Sequence, residues 1–119
     1  MPTPESRLRI STVDGVTQVR FIDRNILDEA NIQHIGEEIS GVIERPGHPR
    51  LLICFENVDH LSSAALGTLI TINNKIRAKG GQLRLSDIDP QIYEVFVITK
   101  LHKLFEIHES VDRAMSSFK

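Results

Sequence analysis

Two adjacent hydroxyls, Ser62 and Ser63, follow an acid and an imidazole at Asp59 and His60. Aspartate, histidine and serine are the residue types with which many hydrolases activate a nucleophile. Residues this close in sequence rarely fold into such a triad, and the chain has no Gly-x-Ser-x-Gly elbow. A small Ser-dependent hydrolase is therefore weakly supported, and we predict a protein that is not an enzyme and has no catalytic residues.

The other residues that bind metals or cofactors in proteins form no recognisable motif in this chain. The five histidines show no paired metal-ligand spacing, and the single cysteine, Cys54, is too few for a thiolate site. Neither a P-loop nor a Gly-x-Gly-x-x-Gly sequence is present to hold a phosphate or a dinucleotide. We therefore predict neither a metal nor a cofactor.

Length and composition indicate one ordinary globular domain, with 119 residues of which 40% are hydrophobic and 25% charged. The net charge of −2 supplies no bulk positive field to attract nucleic acid or an anionic membrane. No window approaches the roughly 18 consecutive apolar residues of a membrane span, and the polar start lacks a signal-peptide core. We predict a cytoplasmic domain at residues 7–119 after a flexible segment at residues 1–6, with no nucleic-acid or membrane partner.

The serine pair lies where a predicted buried strand leads into a predicted helix. Residues 51–55 form the most apolar run, and their lack of alternation is typical of a central strand covered on both faces. A serine at a helix start commonly caps a free N–H group, and this interpretation is favoured for Ser62. For Ser63, capping and a functional hydroxyl are equally supported. The predicted helix ends at Gly80-Gly81, and its inner stripe is Ala65, Leu69, Ile72 and Ile76.

Before this unit, the pattern predicts an antiparallel hairpin and then a helix. Two runs of alternating apolar and polar residues flank Asp14-Gly15, which suits a tight hairpin turn. Asp28 is the predicted N-cap of the helix that follows, in which Gly36 and Gly41 lower the intrinsic helix propensity. Packing must therefore hold the helix through its inner stripe, which is Ile32, Ile35, Ile39, Val42 and Ile43.

After this unit, the pattern predicts a strand, a helix, a short strand and a terminal helix. Leu83 and Leu85 mark the first strand, and the helix runs from Asp89-Pro90 to about Leu101. The inner side of that helix is predicted as Ile92, Val95, Phe96 and Thr99. The last two elements are predicted from Phe105 and Ile107, and from Val111, Ala114, Met115 and Phe118. The predicted fold class is α/β, with a mostly parallel mixed sheet, a leading antiparallel hairpin and about four helices.

Residues 52–70 resemble the signature of STAS domains, especially of bacterial anti-sigma factor antagonists, whose turn typically reads Asp-Ser-Ser/Thr-Gly-Leu-Gly after a hydrophobic strand. Aligning Leu66-Gly67 with the Leu-Gly of that motif places Ser63 at the phosphorylated serine. Ser62 then stands where the family usually has Asp, Ala64 at the second Ser/Thr, and Ala65 at the first Gly. Residues 79–85 and 95–105 also resemble the family pattern, so the resemblance covers nearly the whole chain.

The resemblance implies a single STAS-like domain that acts as a protein-interaction module. Its implied partner is an anti-sigma factor and serine kinase of the histidine-kinase-like ATPase type, released when Ser63, rather than Ser62, is phosphorylated. The alternative is a STAS scaffold or a small-ligand-binding signalling module that is not regulated by phosphorylation, and a homodimer is compatible with either. The predicted partner-binding residues are Asp59, His60, Leu61, Ser62, Ser63, Ala64, Gly67, Thr68 and Thr71.

Overall fold

A computed structural model describes residues 8–22, 24–26 and 29–118. These residues form seven strands and four α-helices in an α/β arrangement. The strands are β1 Leu8–Val13, β2 Val16–Phe21, β3 Asn25–Ile26, β4 Arg50–Cys54, β5 His60–Leu61, β6 Gln82–Ser86 and β7 Glu106–His108. The helices are α1 Glu29–Ile43, α2 Ser63–Ala78, α3 Pro90–Ile98 and α4 Val111–Ser117, with a short 3-10 helix at Leu101–Lys103.

Five strands form one mixed sheet in the order β1-β2-β4-β6-β7. β1 and β2 pair antiparallel across a turn at Asp14 and Gly15. The φ angles of these residues, 51° and 79°, lie in the left-handed region that tight two-residue hairpin turns favour. The other neighbouring pairs are parallel. The predicted fold class is therefore confirmed, and β4 is the central strand.

The two faces of β4 are covered by different helices, as its continuous apolar sequence predicted. Leu51 and Ile53 lie in the main core, to which the buried faces of α1, α2 and α3 contribute. Leu52 points to the opposite face and forms a smaller cluster with Val16 and Ala114 of α4. Since successive strand residues alternate between faces, one short strand joins both layers.

A polar network on the second face connects α4 to the edge of the sheet. Arg84 of β6 donates to Ser117 at 3.0 Å and pairs with Glu106 of β7 at 2.5 Å. Partial burial disfavours ionisation of Glu106, but the hydrogen bond with His108 and the charge of Arg84 outweigh it and lower the pKa of this carboxyl. The guanidinium also lies 5.1 Å from the Phe118 ring centroid. The ionised network therefore contributes to holding α4 on the sheet.

Helix α3 differs from its predicted length and inner face. It ends at Ile98 rather than near Leu101, because Lys100 adopts a left-handed conformation with φ 62° that breaks the helix. Ile92 and Phe96 are buried as predicted, but Val95 and Thr99 are exposed. The helix thus buries a narrower stripe than its hydrophobicity suggested.

Other predicted boundaries are close to those observed. Ile10 lies on β1, the edge strand of the sheet, and is 38% exposed. The final strand begins at Glu106, directly after the buried Phe105. The predicted cap at Asp28 and the flexible segment at residues 1–6 lie outside the described residues. Within the part of the chain that is described, no helix is long and apolar enough to cross a membrane.

Candidate functional site

The segment that leads from β4 towards the serines is held in place by a buried residue at each end. Phe55, which follows β4, is fully buried, and Val58 is 1% exposed. Between them, Glu56 and Asn57 form a turn closed by a 2.9 Å hydrogen bond from the Val58 N–H to the Phe55 carbonyl. The chain therefore leaves the carboxyl end of the central strand along a fixed path.

A second, two-stranded parallel sheet then fixes the segment before the serines. β5 pairs with β3, with Asn25 opposite His60 and Ile26 opposite Leu61. The Asp59 N–H donates to the Arg24 carbonyl at 2.8 Å, and the Ser62 N–H donates to the Ile26 carbonyl at 3.1 Å. The backbone on both sides of His60 is thus hydrogen-bonded to the segment that follows β2.

Ser62 is the N-cap of α2, as predicted. Its backbone is extended, with φ −81° and ψ 165°, and its Oγ accepts a hydrogen bond from the Ala65 N–H at 3.2 Å. The Ser62 carbonyl accepts from the Leu66 N–H at 3.1 Å, the first bond of the helix. The Ser62 hydroxyl oxygen therefore caps the start of the helix.

Ser63 is the first residue of α2, and its side chain is exposed. Its hydroxyl forms no hydrogen bond with any residue that the structure describes. It lies at a helix amino end, where unpaired backbone N–H groups and the helix dipole favour negative charge. The structure thus separates the two serines, with one oxygen used for capping and the other open to solvent.

The remaining predicted partner-binding residues surround Ser63 on the same end of α2. Ser63, Ala64, Gly67 and Thr71 are exposed and share one side of the helix, while Thr68 is half-buried. The hydroxyls of Thr68 and Thr71 donate to the carbonyls of the residues four positions earlier, each at 3.2 Å. These threonines therefore present methyl groups more than free hydroxyls.

The residues before α2 form a polar rim beside this surface. Asp59 and His60 are exposed, whereas Leu61 is half-buried and packs against the core. The carboxylate of Asp59 lies 4.0 Å from the Arg24 guanidinium, a solvent-exposed pair that adds little stability. Among the described residues, no hydrogen bond joins the His60 ring to Asp59 or to either serine, so these side chains do not form a triad.

Helix α1 contributes a neighbouring surface that the sequence did not predict. A groove of about 530 Å³ runs between α1 and α2. An ideal Cβ at Gly36 would lie 3.1 Å from the Thr68 methyl, and the Lys75 ammonium donates to the Ser40 hydroxyl at 2.9 Å. Gly36 was interpreted only as a helix-weakening residue, although a glycine on a helix face also permits close helix packing. Four further polar residues line the groove, namely Gln33, Glu37, Glu44 and Thr71.

The described residues near the turn include neither a reactive thiol nor a metal-binding group. Cys54, at the end of β4, is 3% exposed, and burial raises the pKa of its thiol, which lies 3.5 Å from an Asp87 oxygen. It is therefore an unreactive neutral thiol. Within the described ranges, no group of three His, Cys, Asp or Glu residues is placed to hold a metal.

The fold and the turn together define a single α/β domain that offers an exposed serine on a helix end rather than an enclosed cleft. The sequence model of the STAS domain matches residues 7–114, and the chain belongs to this family.

Several known proteins with similar sequences or structures are described as anti-sigma factor antagonists. BtrV of Bordetella bronchiseptica, named as an anti-sigma factor antagonist, is 24% identical over 113 residues, which cover 95% of each chain. An anti-sigma factor antagonist (STAS) domain protein from Planctomyces limnophilus superposes with a TM-score of 0.84 at 18% identity, covering 92% of this chain and 96% of that one. The phosphorylated form of SpoIIAA, a Bacillus cell fate determinant, gives a TM-score of 0.70 at 17% identity, with coverages of 92% and 96%.

Proposed function

We propose that this protein is an anti-sigma factor antagonist that binds a kinase-type anti-sigma factor through the amino end of α2 and is released by phosphorylation of Ser63. The observation that carries the proposal is the difference between the two serines. Ser62 accepts the capping hydrogen bond, whereas the exposed Ser63 hydroxyl has no partner among the described residues. A kinase can therefore modify Ser63 without removing the cap of the helix.

The departures from the usual motif fit the same function. Serine and aspartate are comparable N-caps, so Ser62 supplies the capping oxygen that an aspartate would supply there. Ala65 is 5% exposed and belongs to the core, where a methyl group adds packing and alanine favours the helix over glycine. Both replacements thus preserve the helix start that presents Ser63.

A phosphate on Ser63 would change binding without unfolding the domain. It would carry about −1.5 to −2 charges at a helix amino end, where free N–H groups and the dipole tolerate it. A partner surface that packs on the neutral hydroxyl would meet a bulky anion, and like-charge or steric juxtaposition there costs several kcal/mol. A micromolar complex is held by about 8 kcal/mol, so this cost is enough to release the partner.

The related proteins support this assignment in two ways. BtrV is named as an antagonist of an anti-sigma factor, and SpoIIAA has been solved in a phosphorylated form. The partner of this chain would then be a serine kinase of the histidine-kinase-like ATPase type, and the place of action would be the cytoplasm, where transcription is controlled.

The test is a binding measurement with kinase-type anti-sigma factors from the same organism. Ser63→Ala should bind as the wild type does, whereas Ser63→Asp should bind at least about tenfold more weakly. Ser116→Asp is the matched control, because Ser116 is an exposed helical serine on α4. The negative charge introduced there should not affect binding. Equal binding by wild type, Ser63→Ala and Ser63→Asp would refute the switch and favour an unregulated scaffold.

A further inference from the structure

A small polar cavity lies at the amino end of β4, at the opposite end of this strand from the Ser63 turn. Its volume is about 150 Å³, and it is lined by the β1–β2 turn, the end of α1 and the loop that leads into β4. The five residues of β4 separate the cavity from the serine turn by roughly 16 Å. The polar and charged residues of the lining are Thr17, Arg45, His48 and Arg50.

The charge of this lining is entirely positive. Arg45 and Arg50 are exposed, and neither guanidinium forms an ion pair or a side-chain hydrogen bond with any described residue. Asp14 and Glu44 are close in sequence but are not part of the lining. In a chain whose net charge is −2, two unpaired arginines that share one cavity need an explanation. An anionic ligand would supply the missing counter-charge.

Lys79 removes the main electrostatic obstacle to an anion at this place. The carboxyl end of a helix carries partial negative charge, and α1 ends beside the cavity. The Lys79 ammonium donates to the Ile43 carbonyl at 2.7 Å and to the Arg45 carbonyl at 2.6 Å. The helix end is thus neutralised by a lysine that comes from the end of α2.

His48 is held in a defined orientation by the same segment. Its Nδ1 lies 2.7 Å from the Lys79 carbonyl, and because a carbonyl only accepts, Nδ1 must carry the hydrogen. The ring lies beside Gly80, where an added Cβ would be 3.1 Å from Nδ1. Nε2 is the ring nitrogen that this bond does not use.

We propose that this cavity binds a phosphate-type oxyanion between Arg45 and Arg50. Guanidinium groups present planar sets of N–H donors that match phosphate oxygens, often two at a time. Sites for whole drug-sized ligands usually occupy about 300–1,000 Å³, so this smaller cavity suits a phosphate group rather than a nucleotide. Free phosphate and the phosphate of a monoester share this chemistry. The inference is independent of the proposed function at Ser63.

The experiment is an NMR titration of the full chain labelled with ¹⁵N. The arms are inorganic phosphate, glycerol 3-phosphate as a small phosphate monoester, and chloride at matched ionic strength. We expect saturable shifts in the amides of residues 14–17 and 44–51 with both phosphates and none with chloride. Tighter binding of the monoester would identify a phosphorylated metabolite as the source, and tighter binding of inorganic phosphate would identify free phosphate.

The variants test the assignment of the arginines. Arg45→Gln and Arg50→Gln should each weaken phosphate binding by at least about tenfold. Arg113→Gln is the matched control, since this exposed arginine lies on α4, which covers the other face of the sheet. Ser63→Asp should leave phosphate binding unchanged, which separates this site from the proposed switch. Shifts that do not saturate, or an equal loss of binding in the Arg113→Gln control, would overturn the proposal.

Discussion

Replacing Ser62 with alanine removes one hydrogen-bond acceptor without changing the course of the backbone. Its Oγ accepts from the Ala65 N–H at 3.2 Å, and the residue is half-buried. Loss of such an N-cap costs about 1 kcal/mol, within a range of roughly 0.5–2 kcal/mol. Unfolding entropy of roughly 2.1 cal/mol/K per residue gives roughly 0.25 kcal/mol/K for the 119 residues. We therefore expect Ser62→Ala to lower Tm by roughly 4 °C.

Ser63→Ala is the control for this measurement, because it removes the adjacent hydroxyl. That hydroxyl is exposed and has no partner among the described residues, and alanine is a better helix former than serine. The free energy of unfolding of Ser63→Ala should stay within about 0.5 kcal/mol of the wild-type value. Thermal and urea unfolding followed by circular dichroism measure both variants. If Ser62→Ala left the free energy of unfolding unchanged, or if Ser63→Ala lowered it by the same amount as Ser62→Ala, the division of roles between the two serines would be refuted.

Three further predictions test the packing and the charges. Gly41→Ala should raise the free energy of unfolding by up to about 1 kcal/mol, and Gly36→Ala by less, because its new methyl group would crowd α2; urea unfolding of both variants measures the difference. The buried Cys54 thiol should react with a disulfide reagent only after unfolding, and rapid labelling of the native protein would contradict this. Glu106→Gln should cost at most about 1 kcal/mol at neutral pH. Because the folded pKa of Glu106 is lowered, this difference should be lost progressively as the pH falls below the ordinary glutamate pKa of about 4.3, which unfolding curves across pH can detect.

The elements with strong local signals were predictable from the sequence. Asp14-Gly15 predicted the hairpin, and both residues adopt the positive φ angles that such a turn requires. Asp89 caps α3 by accepting from the Gln91 N–H at 2.8 Å, and Pro90 occupies the first position of the helix. Ser62 was predicted as a cap for the same kind of reason. Each of these features depends on a few neighbouring residues whose conformation is set locally.

The features that were missed depend on contacts between distant parts of the chain. β3 and β5 have two residues each, too few for any periodicity, and they exist because they pair with each other. The groove beside Thr68 arises from the approach of α1 to α2, which Gly36 permits but does not by itself specify. The early end of α3 follows from the left-handed conformation of Lys100, a residue type with no special preference for it. The sequence therefore indicated the helix start with its serines, and the structure added the surfaces around it.

The most direct test of the Ser63 switch is the fate of a preformed complex between this protein and a kinase-type anti-sigma factor when ATP is added. Size-exclusion chromatography follows the complex, and mass spectrometry locates the phosphate. We expect wild-type protein to be released as phosphate appears on Ser63, whereas the Ser63→Ala complex stays intact and unphosphorylated. Phosphate on another residue, or release of Ser63→Ala at the wild-type rate, would contradict the assignment of Ser63 as the switch.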